Sequence, residues 1–454
     1  MESGTRLSAA SRASLALALL AIFAGGCGNP EPLQSMNGGA REIQAGFNLV
    51  ISENAGRMME EGRETFRSAT FGSEGFWGDA LGLHHAIQGS ANGGVGGGVS
   101  PKTALAVGLK VDAEALPAPL IASIKKGEVD LDDPATTLAL LKLDAVVGVK
   151  GFFNEKGTLR SMGITCALCH STVDDSFSVG IGRRLDGWGN QDLNVGAIVS
   201  LAPHLDPIAD LLKVDAGTVK KVLASWGPGR YDAVLDKDGK AFRPDGKSAA
   251  TLIPPAYGLA GVNLSTWTGF GSVTYWNAYV AVTQMHGLGT YHDARLKDAA
   301  QFPVASRSGS WNSRGNPDQV TPKLAALHFY QLSIPAPTPP PGSFDSKAFE
   351  RGKSLFEGKA KCATCHVPPL YTEPGHNLHS AQEMGVDSFQ SDRSPTHSYR
   401  TAPLRGLWAH QKRGFYHDGR FATLGDVVDH YNGLLKIGLA DSEKGDLIQF
   451  LLGL

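Results

Sequence analysis

The sequence predicts a mainly α protein: two small helical units joined by a proline-rich connector, with a long loop-rich insertion in the first and an N-terminal extension ahead of it. Three observations predict it. Apolar residues recur at helical spacing in both halves. A Cys-x-x-Cys-His string occurs once in each half, CALCH from Cys166 to His170 and CATCH from Cys362 to His366. Between them IPAPTPPPGS, from Ile334 to Ser343, can form neither helix nor central strand and should run extended. With 454 residues, 42% hydrophobic and 19% charged, the chain can bury two or three cores.

The elements follow in chain order. Arg6 and Arg12 precede an apolar run from Leu15 to Phe23, then Ala24-Gly25-Gly26-Cys27, so 1–27 reads as a secretory leader too short to span a bilayer. A cysteine directly after small residues resembles a lipoprotein box, which would make Cys27 a lipid anchor; an ordinary cleaved leader is the alternative. Residues 28–125 form a partly helical extension, in which the glycine-dense stretch Gly89–Ser100 reads as a mobile loop. The first unit, 126–334, opens with an apolar helix at Pro134–Val147 and closes with one at Lys323–Leu332. Its middle carries Trp188, Trp226, Trp267, Trp276 and Trp311 and is expected to hold loops and short elements. After the connector, 335–344, the last unit covers 345–454. Phe349–Phe356 is amphipathic, with Gly352 placed for close approach of a second helix, and Leu447, Ile448, Leu451 and Leu452 make the stripe of a terminal helix that should cross it.

The two strings carry the chemistry. At spacing i, i+3, i+4, two thiols and an imidazole share one face of a helical turn. Cys166 and Cys169, or Cys362 and Cys365, can bond the two vinyl groups of one porphyrin while His170 or His366 meets the iron, the attachment pattern of c-type haem. A redox dithiol or half a zinc site would use the cysteines without needing the histidine twice, and each string is complete as a haem site. Only five cysteines are present, four of them here. The units therefore read as two cytochrome c-like haem domains with two covalently bound c-type haems, made outside the cytoplasm.

FFNEKGTLRSMGITCALCH at Phe152–His170, RTAPLRGLW at Arg400–Trp408 and GFYHDGRFATLGDVVDHYN at Gly414–Asn432 resemble the bacterial di-haem cytochrome c peroxidases and their MauG-type relatives. The resemblance implies that the residue after DVVDH faces the second iron. It is methionine in the peroxidases and tyrosine in the MauG type; here it is Tyr431. A phenolate is a hard anionic donor that favours ferric iron, whereas a thioether raises the potential. The competing reading is a packed tyrosine ring. Met384, His410, His417 and His430 compete for the same position. Pro368 and Pro369 could aim a carbonyl at His366, and Arg405 and Trp408 could meet propionates.

For the first haem the resemblance implies a glutamate that moves a proton during peroxide cleavage. From Ser171 to Phe349 there is no Glu; Asp174, Asp175, Asp186 and Asp293 are the nearest substitutes. His84 and His286, then His204 and His292, could instead close that iron. Three functions stay open: an electron-transfer di-haem cytochrome, the most economical; a hydrogen-peroxide-reducing peroxidase; and MauG-type oxidation of a protein partner, for which Tyr431 is the specific support. The expected partner is a small cytochrome or cupredoxin. The net charge of −2 argues against a nucleic-acid surface. The expected location is the periplasm or outer membrane, secreted or lipid-anchored.

Overall fold

The computed structural model describes residues 38–454; the leader, Cys27 included, lies outside them. Residues 56–454 form one compact unit, and 38–55 belong to another. A long helix runs Gly38–Ser68, and within 45–55 it exposes Phe47, Leu49, Val50 and Ile51. No described helix is long and apolar enough to cross a membrane.

The protein is mainly α, and its strands are short two-stranded pieces. The longest pair is the hairpin Val149–Phe153 with Leu159–Ile164, which leads directly into CALCH. Helix starts follow local chemistry. Asp133 caps Pro134–Lys142, with proline in the first turn, and Asp345 caps Ser346–Glu357. Thr423 and Asp426 close a capping box on Leu424–Leu434.

Three sequence-predicted helices appear with small boundary shifts, Leu324–Ser333, Ser346–Glu357 and Asp441–Leu452, whereas the one expected over Pro134–Val147 stops at Lys142 and Val146 pairs with Val111 in a β-bridge. Ser346–Glu357 and Asp441–Leu452 pack together at Gly352, where a Cβ would lie 2.1 Å from the Asp446 carbonyl oxygen. Their aromatic contact is Phe356 on Phe450, ring centroids 4.9 Å apart.

Two expectations need correction. The tryptophan-rich middle is not only loops and short elements: Ala216–Trp226 is a three-turn helix burying Val219, Val222, Leu223 and Trp226, at i, i+3, i+4 and i+7. Gly89–Ser100 is folded rather than free. The Ser90 amide donates to Gly96 (2.9 Å), Val95 to His85 (2.9 Å) and Val99 to Ile87 (3.1 Å). Gly89, at φ +70°, sits so close to Gly98 that a Cβ would lie 2.6 Å from its Cα.

The connector has no helix or strand over 334–340, yet it is fastened. The Ile334 carbonyl accepts from Gly258 (2.9 Å) and the Pro337 carbonyl from the Trp408 indole (3.1 Å).

Candidate functional site

A cavity of about 840 Å³ lies inside the compact unit, and both Cys-x-x-Cys-His strings line it. All six predicted attachment and proximal residues, Cys166, Cys169, His170, Cys362, Cys365 and His366, are in its wall, together with Tyr431, Met384, His410 and His417.

Backbone bonds fix each string. CALCH is a single helical turn, with the His170 amide bonded to the Cys166 carbonyl at 3.2 Å; Asn190 and Gly187 then donate to Cys169 and His170, each at 2.8 Å. Gly148 makes room for this turn, since a Cβ there would lie 2.2 Å from the Leu168 Cα. CATCH is a 3₁₀ turn closed by His366 N–H to the Cys362 carbonyl at 2.9 Å.

The electrostatics suit neutral donors. Burial pushes the thiols of Cys166 and Cys169 up to about 12 and that of Cys362 up to about 11. Redox dithiols are built the opposite way, with depressed thiol pKa values. Burial also pulls His170 and His366 down to about 4, opposed in part at His366 by the carbonyls of Tyr371 and Ala402. Nδ1 of His366 lies 3.2 Å from the Tyr371 carbonyl oxygen, a contact that leaves Nε2 free to act as a donor. The expected Pro368 or Pro369 carbonyl is not the one used.

Tyr431 shares the wall with the second string: burial raises its phenol, the Tyr416 hydroxyl opposes this, and Cys365 and Cys362 raise it further. His410 and His417 are each pulled to about 4 by burial. His430 is outside the lining and bonds the Met384 carbonyl through Nε2 at 2.9 Å.

The other candidates are not brought to the cavity. His84 is buried with Nδ1 on the Gly78 carbonyl at 3.0 Å, and His286 stacks on Phe76, ring centroids 3.5 Å apart. His204 and His292 are exposed. Asp174, Asp175, Asp186 and Asp293 are absent from the lining; among the described residues its one acidic side chain is Glu383. Arg405 lines the cavity, whereas Trp408 spends its indole N–H on Pro337. One group of three donors, Cys365, Glu373 and His379, could hold a metal ion if Cys365 were free, with His379 Nε2 already 2.7 Å from Glu373.

The wall also carries polar atoms without hydrogen-bond partners among the described residues. His170 Nδ1, Ser265 Oγ, Thr266 Oγ1, Trp276 Nε1, Asn277 Nδ2, Gln331 Oε1, His410 Nε2 and His417 Nε2 are buried lining atoms with no hydrogen bond among the described residues. Such atoms cost stability unless something supplies the missing bonds. Arg400 adds a buried guanidinium on the same wall, lowered to about 10 by burial and bonded to the Leu264 carbonyl, with no carboxylate partner among the described residues. The sequence reading missed Arg400, Asn277, Gln331 and Trp276 as wall residues. Trp276 was named only among the tryptophans of the middle segment, Gln331 lay inside the expected Lys323–Leu332 helix and Arg400 inside the quoted RTAPLRGLW string. A polyfunctional group with an apolar body, anionic arms and a metal centre fits this donor set.

Fold and site together define a mainly helical chain with both Cys-x-x-Cys-His strings on one large cavity. No protein-family model matches it. Over 121 residues the chain is 29% identical to the methylamine utilization protein MauG of Methylorubrum extorquens, a stretch that is 22% of this chain and 33% of that relative. The match thus spans about a third of MauG's length. Two solved structures are similar over 47% of this chain and 75% of their own. One is a MauG-like protein associated with microbial copper homeostasis (TM-score 0.30, 18% identity), the other xenon-pressurised hydrazine synthase of Kuenenia stuttgartiensis (TM-score 0.28, 19% identity).

Proposed function

We propose that this chain is a di-haem c-type cytochrome that transfers electrons, exported from the cytoplasm and either secreted or tethered through lipid on Cys27. The observation that carries the reading is the joint wall: both attachment strings, a cation without a counter-ion and a set of orphaned buried donors and acceptors meet on one cavity. Cys166 and Cys169 would hold one haem and Cys362 and Cys365 the other, with His170 and His366 as proximal ligands. Arg400 and Arg405 would face propionates. When bound, haem supplies one-electron chemistry whose potential is set by the ligands and surroundings. The protein's part is to keep both imidazoles neutral and to exclude water with an apolar wall. A small cytochrome or cupredoxin would be the redox partner.

Peroxide reduction is less well supported, because no carboxylate from the first half lines the cavity to move a proton. The second reading is MauG-type oxidation of a protein partner. Tyr431 beside Cys362 and Cys365 favours it, and so does the partial identity with MauG.

The test is protein made in cells competent for cytochrome maturation. Two haem equivalents in the intact mass, with reversible reduction by a small cytochrome and no peroxide turnover, is the expected result. Absence of the mass gain would overturn the proposal. Peroxide turnover with a reduced donor would replace the carrier by an enzyme.

A further inference from the structure

Trp276 is a half-buried wall residue of the cavity with its indole nitrogen buried, and the tyrosines packed around it are not in the wall. Its ring centroid is 4.9 Å from that of Tyr279, which is 5.9 Å from Tyr275 and 5.6 Å from Tyr291. Tyr275 and Tyr291 join through their hydroxyls at 2.7 Å. The Tyr275 hydroxyl also donates to Asp293 at 2.6 Å, and Asp293 is clamped by Arg295 through Nε (3.0 and 3.1 Å) and one terminal nitrogen (2.7 Å). The Arg295 side chain is 44% exposed, so an unbroken file of oxidisable rings leads from the cavity wall to an ion pair at the surface.

The rings are not equivalent. A phenol that loses an electron becomes a strong acid and keeps the oxidation only where a base takes its proton. Tyr279 donates to the Ala233 carbonyl at 2.9 Å, which is no base, and the Lys237 ammonium sits 5.2 Å from its ring centre, disfavouring positive charge there. Tyr275 has a carboxylate in bonding contact. Burial raises Asp293, but the bonds from Arg295 and Tyr275 outweigh it and hold the group below its ordinary range, so it is ionised and ready to accept. The Arg295 guanidinium, 5.3 Å from the Tyr275 ring centre, penalises a charged radical and leaves the neutral one.

We propose that Tyr275 is a redox-active residue, the sink for oxidising equivalents that enter at Trp276, whose ring centroid lies 6.1 Å from its own, with Asp293 as proton acceptor. In the step, one electron passes from Tyr275 to oxidised Trp276 across their direct ring contact. The Tyr275 O–H bond breaks and its proton forms an O–H bond on Asp293. The products are a reduced indole, a neutral Tyr275 phenoxyl radical and a protonated Asp293. The natural oxidant is of the class a peroxide-treated haem provides, so the proposal rests on the haem reading of the cavity in its partner-oxidising form.

The experiment supplies an external oxidant, so that the two readings fail separately. Azidyl radicals generated by pulse radiolysis oxidise indoles in the haem-loaded protein, and time-resolved absorption follows tryptophanyl decay and tyrosyl growth. The wild type is expected to show tyrosyl growth at the expense of tryptophanyl, Y275F to lose most of that yield, and D293N to slow it with a larger solvent-deuterium effect. No tyrosyl growth in the wild type, or an equal yield and rate in Y275F, would overturn the proposal. A Y275F protein that is merely less heat-stable with the yield intact would do so too, because that is what a purely structural hydroxyl predicts. A chain whose mass shows no haem defeats the reading of the cavity and leaves the radiolysis result standing on its own.

Discussion

Arg393 and Asp232, 161 residues apart in the chain, meet in bonds of 2.9 and 3.1 Å with both side chains only 1% exposed. The same guanidinium reaches Asp238 at 2.7 and 3.0 Å and the Ala249 carbonyl at 3.2 Å. One cation from the second half thus bridges two buried carboxylates of the first, beside a cavity that Arg393 itself lines.

Replacing Arg393 with alanine leaves those carboxylates without a counter-ion, and breaking a buried pair from one side costs about 3–5 kcal/mol. Urea unfolding followed by circular dichroism should show a loss of that order. R393K should fall between, since it restores charge without the planar fork.

Gly352→Leu tests the helix crossing. With the Asp446 carbonyl oxygen 2.1 Å from the position of a Cβ, Ser346–Glu357 and Asp441–Leu452 must separate, at an expected overpacking cost of about 1–3 kcal/mol or more. The thermal midpoint reports it, and an unchanged midpoint would contradict the packing described.

His286 gives a pH dependence with a definite sign. Burial pulls it from 6.5 to about 4, Lys237 adding to the effect and Asp236 opposing it. Between those values the unfolded chain holds a proton that the folded protein does not, so stability is present above pH 6.5 and falls as pH drops toward 4. His286→Asn suits the positive φ of +59° and should flatten part of that slope in urea midpoints measured across the window.

Arg400→Met separates the fold from its contents. In protein made without haem maturation, removing a buried cation that has no carboxylate partner should leave stability unchanged or improved. In mature protein it should lower stability or haem retention. Equal effects in both preparations would remove Arg400 from the propionate role.

Tyr431→Phe should alter the ferric absorption spectrum of the mature protein if the phenol reaches the second iron, and leave it unchanged if the ring only packs. Met384→Leu is the companion variant, since Met384 shares the same wall.

Much of the candidate site was legible because the Cys-x-x-Cys-His order is local: Cys166, Cys169 and His170, and Cys362, Cys365 and His366, needed no tertiary information to be singled out. Gly352 was legible for a similar reason, a small residue on an apolar stripe. Ala216–Trp226 was equally legible at Val219, Val222, Leu223 and Trp226, but its neighbourhood of glycine and tryptophan drew attention away from the period. What sequence could not carry is convergence. Nothing local marks Arg400, Asn277 or Gln331 as sharing a wall, and nothing in Asp232, Asp238 and Arg393 announces that they pair. His84 was a candidate ligand only as a histidine of the first half, and the Gly78 carbonyl that occupies it is visible only in three dimensions.

The joint wall has a consequence for biosynthesis. Residues from Trp77 to Leu451 line one cavity, so a polypeptide emerging from its N-terminus presents the apolar first half of that lining to water until the final helix arrives. A chain ending at the proline-rich stretch would keep it exposed indefinitely, a sticky open shell instead of an independent module. Under the di-haem proposal, haem insertion would have to be timed against completion of the C-terminal hundred residues, and the half-built shell would need shielding until then.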